Sequence, residues 1–242
     1  MARNETAIGG DAREFPPTRW TLILSSRADP ESRGKALQEL FDIYWKPLYF
    51  FARRKGMQIE SAKDAVQGFC IHLLGRDFLD RLDPARGRFR AYLKTGFENF
   101  LRNLHESRTA QKRGGAAKTV SLDFELAERD LAHAPAEADA AFDREWAVGV
   151  MERALARLRA EFESGDRQGP FDVVLKFFRP GEPPTYAAAS KECGMSTVRF
   201  KAFLHRARAR FRQLVRDQVS HTLPDTAEAD AEVAHLMKAL GA

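Results

Sequence analysis

Residues 194–211, GMSTVRFKAFLHRARARF, carry a basic side chain at nearly every second or third position. Large apolar residues recur in the same run at steps of three and four, which is the spacing of one face of an α-helix. The predicted inward stripe is Phe200, Phe203 or Leu204, Ala207, Phe211 and Leu214. Such a helix can be a solvated surface element, or it can lie against a phosphate backbone, whose contacts need lysine and arginine.

The residues just before this run favour nucleic-acid binding. Thr185 is a candidate N-cap for a short helix over residues 186–192, and Ser196 is a candidate N-cap for the long basic helix. A tight turn centred on Gly194 separates the two helices. This order is typical of a helix-turn-helix, whose second helix presents polar residues to a DNA groove.

Charge is unevenly distributed along the 242 residues, which sum to a net charge of +5. Residues 86–113 contain eight basic and two acidic residues, and residues 199–216 contain seven basic residues and no acidic one. Residues 123–145, between these two blocks, contain eight acidic and two basic residues. The distribution predicts two regions suited to nucleic acid, and their binding should weaken as salt concentration rises.

The remaining patterns predict helices throughout. Apolar spacing predicts a helix over residues 34–55, with a kink or break at Pro47, and a second helix starting at the capping box that begins with Ser61. A long helix is predicted from Phe89, where seven apolar residues recur at helical steps. No segment alternates long enough to indicate a strand, so the predicted fold class is all-α.

Composition, charge and helix-breaking residues divide the chain into four parts. We predict a helical domain over residues 18–113, an acidic linker over 114–145, a helix-turn-helix domain over 146–220 and a tail over 221–242. The linker assignment rests on the lack of a sustained apolar stripe in that segment. Val233, Leu236, Met237 and Leu240 have helical spacing in the tail, which predicts an acidic amphipathic helix that packs on the protein's own body or on a regulator.

Two regions of the chain resemble extracytoplasmic-function (ECF) sigma factors. Residues 186–196, followed by Lys201 and the run LHRAR at residues 204–208, resemble the fourth conserved region of that family, whose helix reads the upstream promoter element. FRAYL at residues 89–93, with Asn99 and Asn103, resembles the segment that recognises and melts the downstream element. PLY at 47–49 and DAVQ at 64–67 resemble helices that dock on the polymerase clamp. The resemblance covers residues 18–113 and 146–220.

The resemblance implies three sets of contact residues. The set for the upstream element is Arg199, Lys201, His205, Arg206, Arg208 and Arg212. The set for recognising and melting the downstream element is Arg88, Arg90, Tyr92, Lys94, Asn99, Arg102 and Asn103. The set for polymerase is Asp64, Gln67 and Phe69. The implied partners are core RNA polymerase, through its β and β′ subunits, promoter DNA, and an anti-sigma factor or other regulator.

The sequence also departs from the family's pattern. Lys63 and Gly68 stand where acids are common in the polymerase-docking helix. Arg199 and Phe203 replace the usual small and basic residues of the reading helix, and Ala188 replaces a common glutamate. These differences at the reading helix mean that the family's promoter sequences do not transfer to this chain.

An enzymatic role is not expected from the sequence. No phosphate-cradling glycine motif occurs, the six histidines lack metal-ligand spacing, and Cys70 and Cys193 stand far apart, so we predict neither a metal nor another cofactor. No membrane-spanning run is evident, and we expect a cytoplasmic protein. The alternative function is a stand-alone helix-turn-helix regulator that binds DNA without polymerase.

Overall fold

The computed structural model describes residues 30–74, 88–110, 122–163, 168–178, 181–220, 222–223 and 226–241. Within these ranges the chain is helical and contains no β-strand, so the predicted all-α fold class is confirmed for the described residues. Nine α-helices and one short 3₁₀ helix, Thr226–Glu228, occur there. The α-helices are α1 (Pro30–Arg54), α2 (Ile59–Leu74), α3 (Phe89–Ala110), α4 (Phe124–Leu131), α5 (Ala138–Glu163), α6 (Gln168–Leu175), α7 (Tyr186–Glu192), α8 (Thr197–Ser220) and α9 (Ala229–Leu240).

The described residues divide into two compact units. The larger unit consists of those within Pro17–Val150 and Val219–Ala242, and the smaller unit consists of those within Met151–Gln218. The boundaries fall inside α5 and near the end of α8, so both helices contribute residues to each unit. The described residues of the predicted tail, 222–223 and 226–241, belong to the larger unit.

The first two helices differ in detail from the prediction. α1 continues through Pro47, where a kink or break was expected. Proline removes one helical hydrogen bond, but the four residues after Pro47 are almost fully buried, and their burial stabilises the helix. α2 begins at Ile59, before the predicted cap at Ser61, because the Ala62 amide already donates to the Gln58 carbonyl at 2.9 Å.

Aromatic side chains from several helices form the core of the larger unit. Phe69 of α2 lies 5.1 Å from Phe97 and 5.5 Å from Phe100 of α3, measured between ring centroids. Tyr44 of α1 meets Phe89 edge-on at 5.5 Å. Offset and edge-on pairs of this kind add to the stability that burial of their area provides. The core thereby fixes α3 against α1 and α2.

The described part of the acidic segment is helical and packed, which corrects the prediction of a linker for residues 122–145. Phe124, Ala127 and Leu131 of α4 are buried, and the Phe124 ring lies 5.0 Å from that of Tyr49 in α1. An eight-residue helix has room for only three such positions, so no sustained apolar stripe marks it in the sequence. Residues 114–121 lie outside the described residues.

The C-terminal tail forms α9 and packs on the protein's own body. Ala229, Glu232 and Leu236 are buried, and Gly241 ends the helix with a positive φ of 80°. Of the apolar positions expected along this helix, Leu236 is fully buried, Val233 and Leu240 are half-buried, and Met237 is exposed. Its buried glutamate is bound by arginines of α3, as described below.

Candidate nucleic-acid interface

The turn between α7 and α8 is held by a complete set of cap hydrogen bonds. Gly194 adopts a φ of +62°, a left-handed conformation that favours glycine. Its amide donates to the Lys191 carbonyl at 3.1 Å, and the Met195 amide donates to the Ser190 carbonyl at 2.9 Å. These two bonds make up a Schellman motif, which ends α7 and sets the direction in which the chain leaves it.

The starts of both helices are capped as the sequence predicts. The Ala188 amide donates to Thr185 Oγ1 at 3.2 Å, and the Arg199 amide donates to Ser196 Oγ at 3.3 Å. Each cap satisfies one of the backbone N–H groups that a helix leaves without a partner at its start. The predicted order of short helix, glycine turn and long helix is therefore present.

The inward face of α8 is aromatic. Phe203 meets Phe162 of α5 at 5.4 Å and Phe200 meets Phe177 at 5.6 Å, between ring centroids. The inward stripe predicted from the sequence is confirmed by burial of Phe200, Phe203, Leu204, Ala207 and Leu214, while Phe211 is half-buried. These contacts hold α8 so that its opposite face is presented to solvent.

The residues predicted to contact the upstream element, five cations and one histidine, are all on the exposed part of α8. They are Arg199, Lys201, His205, Arg206, Arg208 and Arg212. The Lys201 ammonium lies 5.1 Å from the centre of the Tyr186 ring, which stacks in turn on Phe177 at 5.7 Å. The cation–π contact restricts Lys201 without neutralising its charge.

One arginine of α8 has a different role. Arg210 is bound by both oxygens of Glu161, with N–O distances of 2.8 and 2.7 Å. These hydrogen bonds to Glu161 raise the pKa of Arg210 further above its usual value, against a smaller effect of burial. Arg210 therefore joins α8 to α5 and is not part of the exposed cationic set.

Two of the residues predicted to recognise or melt DNA are engaged by the tail. Arg90 is 7% exposed and donates from Nε to Glu232 of α9 at 2.7 Å, and it also binds Asp143 of α5. Its guanidinium lies 4.7 Å from the centre of the Trp146 ring. Arg88 reaches the second oxygen of Glu232 at 2.7 Å. In this conformation Arg90 is buried, because Glu232 and Asp143 accept its hydrogen bonds and Trp146 covers one side. Its role as a DNA contact stays a prediction.

The other candidates on α3 lie nearer the surface. Lys94 pairs with Asp139 at 2.6 Å, and Arg102 donates to the Asn99 side chain at 2.8 Å. Tyr92 is half-buried, and Asn103 is exposed. Asn99, Arg102 and Asn103 thus form an exposed polar cluster within one and a half turns of α3.

The three predicted polymerase contacts differ in exposure. Asp64 is exposed and Gln67 is half-buried, whereas Phe69 is fully buried in the aromatic core. Phe69 lies in the core because it packs on α3, and its role as a docking residue stays a prediction. The neighbouring Gly68 also lies against α3, because a Cβ atom at that position would be 3.2 Å from the Phe100 ring. A side chain at position 68 would therefore press against the Phe100 ring, which favours glycine there.

A second polar cluster was missed in the sequence. Glu128 of α4 accepts hydrogen bonds from Tyr49 at 2.6 Å and from Arg53 at 2.7 Å, both on α1. The hydrogen bonds from Arg53 hold the pKa of Glu128 below its usual value, against a smaller effect of burial. Lys46 binds Asp130 and Glu145 in the same region. The helical spacing of Phe124, Ala127 and Leu131 was the available signal for α4.

The described side chains include no candidate metal site, and the buried Cys70 is a poor nucleophile. No group of three or more His, Cys, Asp or Glu residues in the described ranges could hold a metal ion. Burial raises the pKa of the Cys70 thiol to about 12, so the thiolate required for nucleophilic attack is disfavoured. None of the described helices has the length and apolar character needed to cross a bilayer.

Comparison with protein-family models, curated proteins and solved structures found no match. The structural basis for a function is therefore found in this chain's own residues. Those residues supply a fixed helix-turn-helix with an exposed cationic face on α8, and an exposed amide and arginine cluster on α3. Both arrangements suit binding to nucleic acid, because cations contact phosphates and amides hydrogen-bond to bases.

Proposed function

We propose that this chain is an ECF-type sigma factor that binds core RNA polymerase and directs it to promoter DNA. The observation that carries the proposal is the exposed cationic face of α8, on a helix whose direction is set by the turn at Gly194. In this proposal α7 and α8 bind the upstream promoter element as duplex DNA. Such a protein acts in the cytoplasm and needs no cofactor.

The geometry of α8 suits a DNA groove. Its buried aromatic face is anchored to α5 and to the turn after α6, so the opposite face can approach DNA as a rigid surface. Its exposed cations would neutralise phosphates and release counterions, so the observed affinity should fall steeply as salt concentration rises. Fixing Lys201 by the Tyr186 ring lowers the entropy that this side chain would lose on binding.

Support for the role of α3 comes from the exposed cluster of Asn99, Arg102 and Asn103 and from the resemblance to the sigma family. Promoter melting needs polar or aromatic groups that capture unpaired bases. In the proposal these three residues supply such contacts, and Asp64 and Gln67 on α2 contact the polymerase clamp. Phe69 and Arg90 are both buried.

The proposal is tested with purified full-length chain and bacterial core RNA polymerase. Co-elution in gel filtration would test polymerase binding, and permanganate reactivity of thymines on candidate promoter DNA would test opening. We expect a stable complex and reactive thymines, both dependent on the added chain. The variant N99A/N103A should keep the complex, because both side chains are exposed and can be truncated without loss of packing. It should lose most of the permanganate signal, because it lacks the amides proposed to capture unpaired bases.

The control for this test is Glu228→Ala, because Glu228 is exposed at the start of α9 and lies outside the helices proposed to contact DNA or polymerase. This variant should retain both complex formation and DNA opening. Absence of a complex with core polymerase would overturn the sigma assignment. That result would not test DNA binding by α8, and the affinity of the chain alone for duplex DNA is measured separately.

A stand-alone DNA-binding regulator is the second candidate function. The engagement of Arg88 and Arg90 by Glu232 favours it, because two of the cations expected at a melting site are already paired within the larger unit. A regulator would bind duplex DNA through α8, form no complex with core polymerase and produce no reactive thymines. The same two measurements therefore distinguish the candidates.

A further inference from the structure

The exposed face of α8 is not uniformly cationic. Val198, the second residue of the helix, has an exposed fraction of 80%, the highest of the exposed large hydrophobic residues in the described part of the chain. Ala202, His205 and Ala209 follow it at steps of four, three and four residues and are also exposed. These steps place all four residues along one line of the helix surface. That line is opposite the buried stripe.

Cations flank this line on both sides. With 3.6 residues per turn, Lys201 and Arg208 lie on one side of Val198, and Arg199 and Arg206 lie on the other. The helix therefore presents a small, mostly apolar centre between two cationic edges. A helix that serves only as a solvated surface has no need for this order.

This order matches the major groove of DNA. Phosphates border the groove on both sides, and base edges form its floor. The 5-methyl group of thymine is the apolar feature that base pairs present there, and small apolar side chains contact it. In helix-turn-helix proteins the N-terminal residues of the second helix reach the base edges. Val198 occupies that part of α8.

We propose that Val198 is a specificity-determining residue that packs against the 5-methyl group of a thymine in the major groove. Ala202, one turn later, leaves room for the helix to approach the base edges. The flanking cations contact the phosphates of the two strands. This inference rests on the proposed binding of duplex DNA by α8. It identifies the base that is read, a thymine, and the side chain that reads it, Val198.

The test uses a double-mutant cycle between one protein side chain and one DNA methyl group. Preferred duplexes are first selected from a random-sequence pool by the full chain, both alone and bound to core RNA polymerase. Each thymine of the selected site is then replaced singly by deoxyuracil, which lacks only the methyl group. Affinities are measured for the wild type, for Val198→Ala and for Leu126→Ala, a control that truncates another exposed aliphatic side chain far from α8 in the sequence.

At one thymine, deoxyuracil should weaken wild-type binding about fourfold, the effect expected for one buried methyl group. The Val198→Ala variant should bind the two duplexes within about 1.5-fold of each other, because it lacks the side chain that contacts the methyl group. Leu126→Ala should behave like the wild type. Alanine favours helices more than valine does, so circular dichroism should show that Val198→Ala retains its fold.

Two other results are distinguishable. In the first, the chain binds DNA with sequence preference, but the ratio of affinities for thymine and deoxyuracil duplexes is the same for the wild type and Val198→Ala at every position. This result would overturn the role of Val198 and leave DNA binding by the chain intact. Failure to select any sequence, with or without polymerase, would overturn the proposed function and this inference together.

Discussion

The arginines at the start of α3 and those along α8 have opposite environments. Arg88 and Arg90 meet a carboxylate that is 0% exposed, Glu232 of α9, and Arg90 is itself buried. Arg199, Arg206, Arg208 and Arg212 of α8 are exposed. In the sequence both groups belong to basic blocks, with similar spacing between their cations. A basic block therefore predicts a cationic surface only where no distant acid folds onto it.

The largest expected effect concerns the buried carboxylate. Glu232→Ala leaves Arg90 buried with one of its two acidic partners removed, and breaking such a buried pair costs about 3–5 kcal/mol. We expect the free energy of unfolding of the larger unit to fall by about that amount. Urea unfolding followed by tryptophan fluorescence measures it, because Trp45 and Trp146 both belong to the larger unit.

The control for this variant is Glu228→Ala, because Glu228 is exposed and makes no side-chain cap bond at the start of α9. Its effect should stay within about 0.5 kcal/mol. Equal unfolding curves for Glu232→Ala and the wild type would mean that the Glu232–Arg90 pair contributes no stability. The contrast drawn between α3 and α8 would then fail.

Two arginines within α8, Arg208 and Arg210, should respond differently to truncation. Arg208→Ala removes an exposed cation, so DNA affinity should fall several-fold and the slope of log affinity against log salt should decrease by about 0.9. Arg210→Ala removes a cation already bound by Glu161, so that slope should stay unchanged while the smaller unit loses about 1 kcal/mol of stability. Fluorescence anisotropy over a salt series, with thermal unfolding, separates the two effects. A reduced salt slope for Arg210→Ala would contradict the assignment.

A pH-dependent effect, similar in size to that of Arg210→Ala, is expected at Glu128, a paired and half-buried acid of the larger unit. Hydrogen bonds from Arg53 lower the pKa of Glu128 in the folded state. The stabilising contribution of Glu128 is therefore fully present above the pKa of an unfolded glutamate, about 4.3. This contribution is lost as pH falls through the lower folded-state pKa. Above pH 5, Glu128→Gln should be less stable than the wild type by about 1 kcal/mol. Below about pH 4 the difference should shrink toward zero. Unfolding curves over this pH range would contradict the prediction if the difference stayed constant.

The placement of local elements could be predicted to a large extent. Helical spacing located α1, α3 and α8, and the caps at Thr185 and Ser196 follow from residue types whose hydrogen bonds are made within three residues. The face of α8 that is buried was also predictable, because periodicity depends only on neighbouring residues. Short α4 was not predicted, since its three buried positions are meaningful only once Tyr49 and Trp45 are known to pack on Phe124.

Spacing along single helices was enough to predict the all-α class and the cationic outer face of α8. Three-dimensional packing was needed to show that Arg90 is buried and that residues 122–145 contain packed helix. Arg90 and Glu232 are 142 residues apart, and no local sequence pattern predicts that their side chains are in contact. The physical reason is that the environment of a charged side chain is set by the carboxylates brought to it in three dimensions, whereas helix formation and capping are set by residues a few positions away.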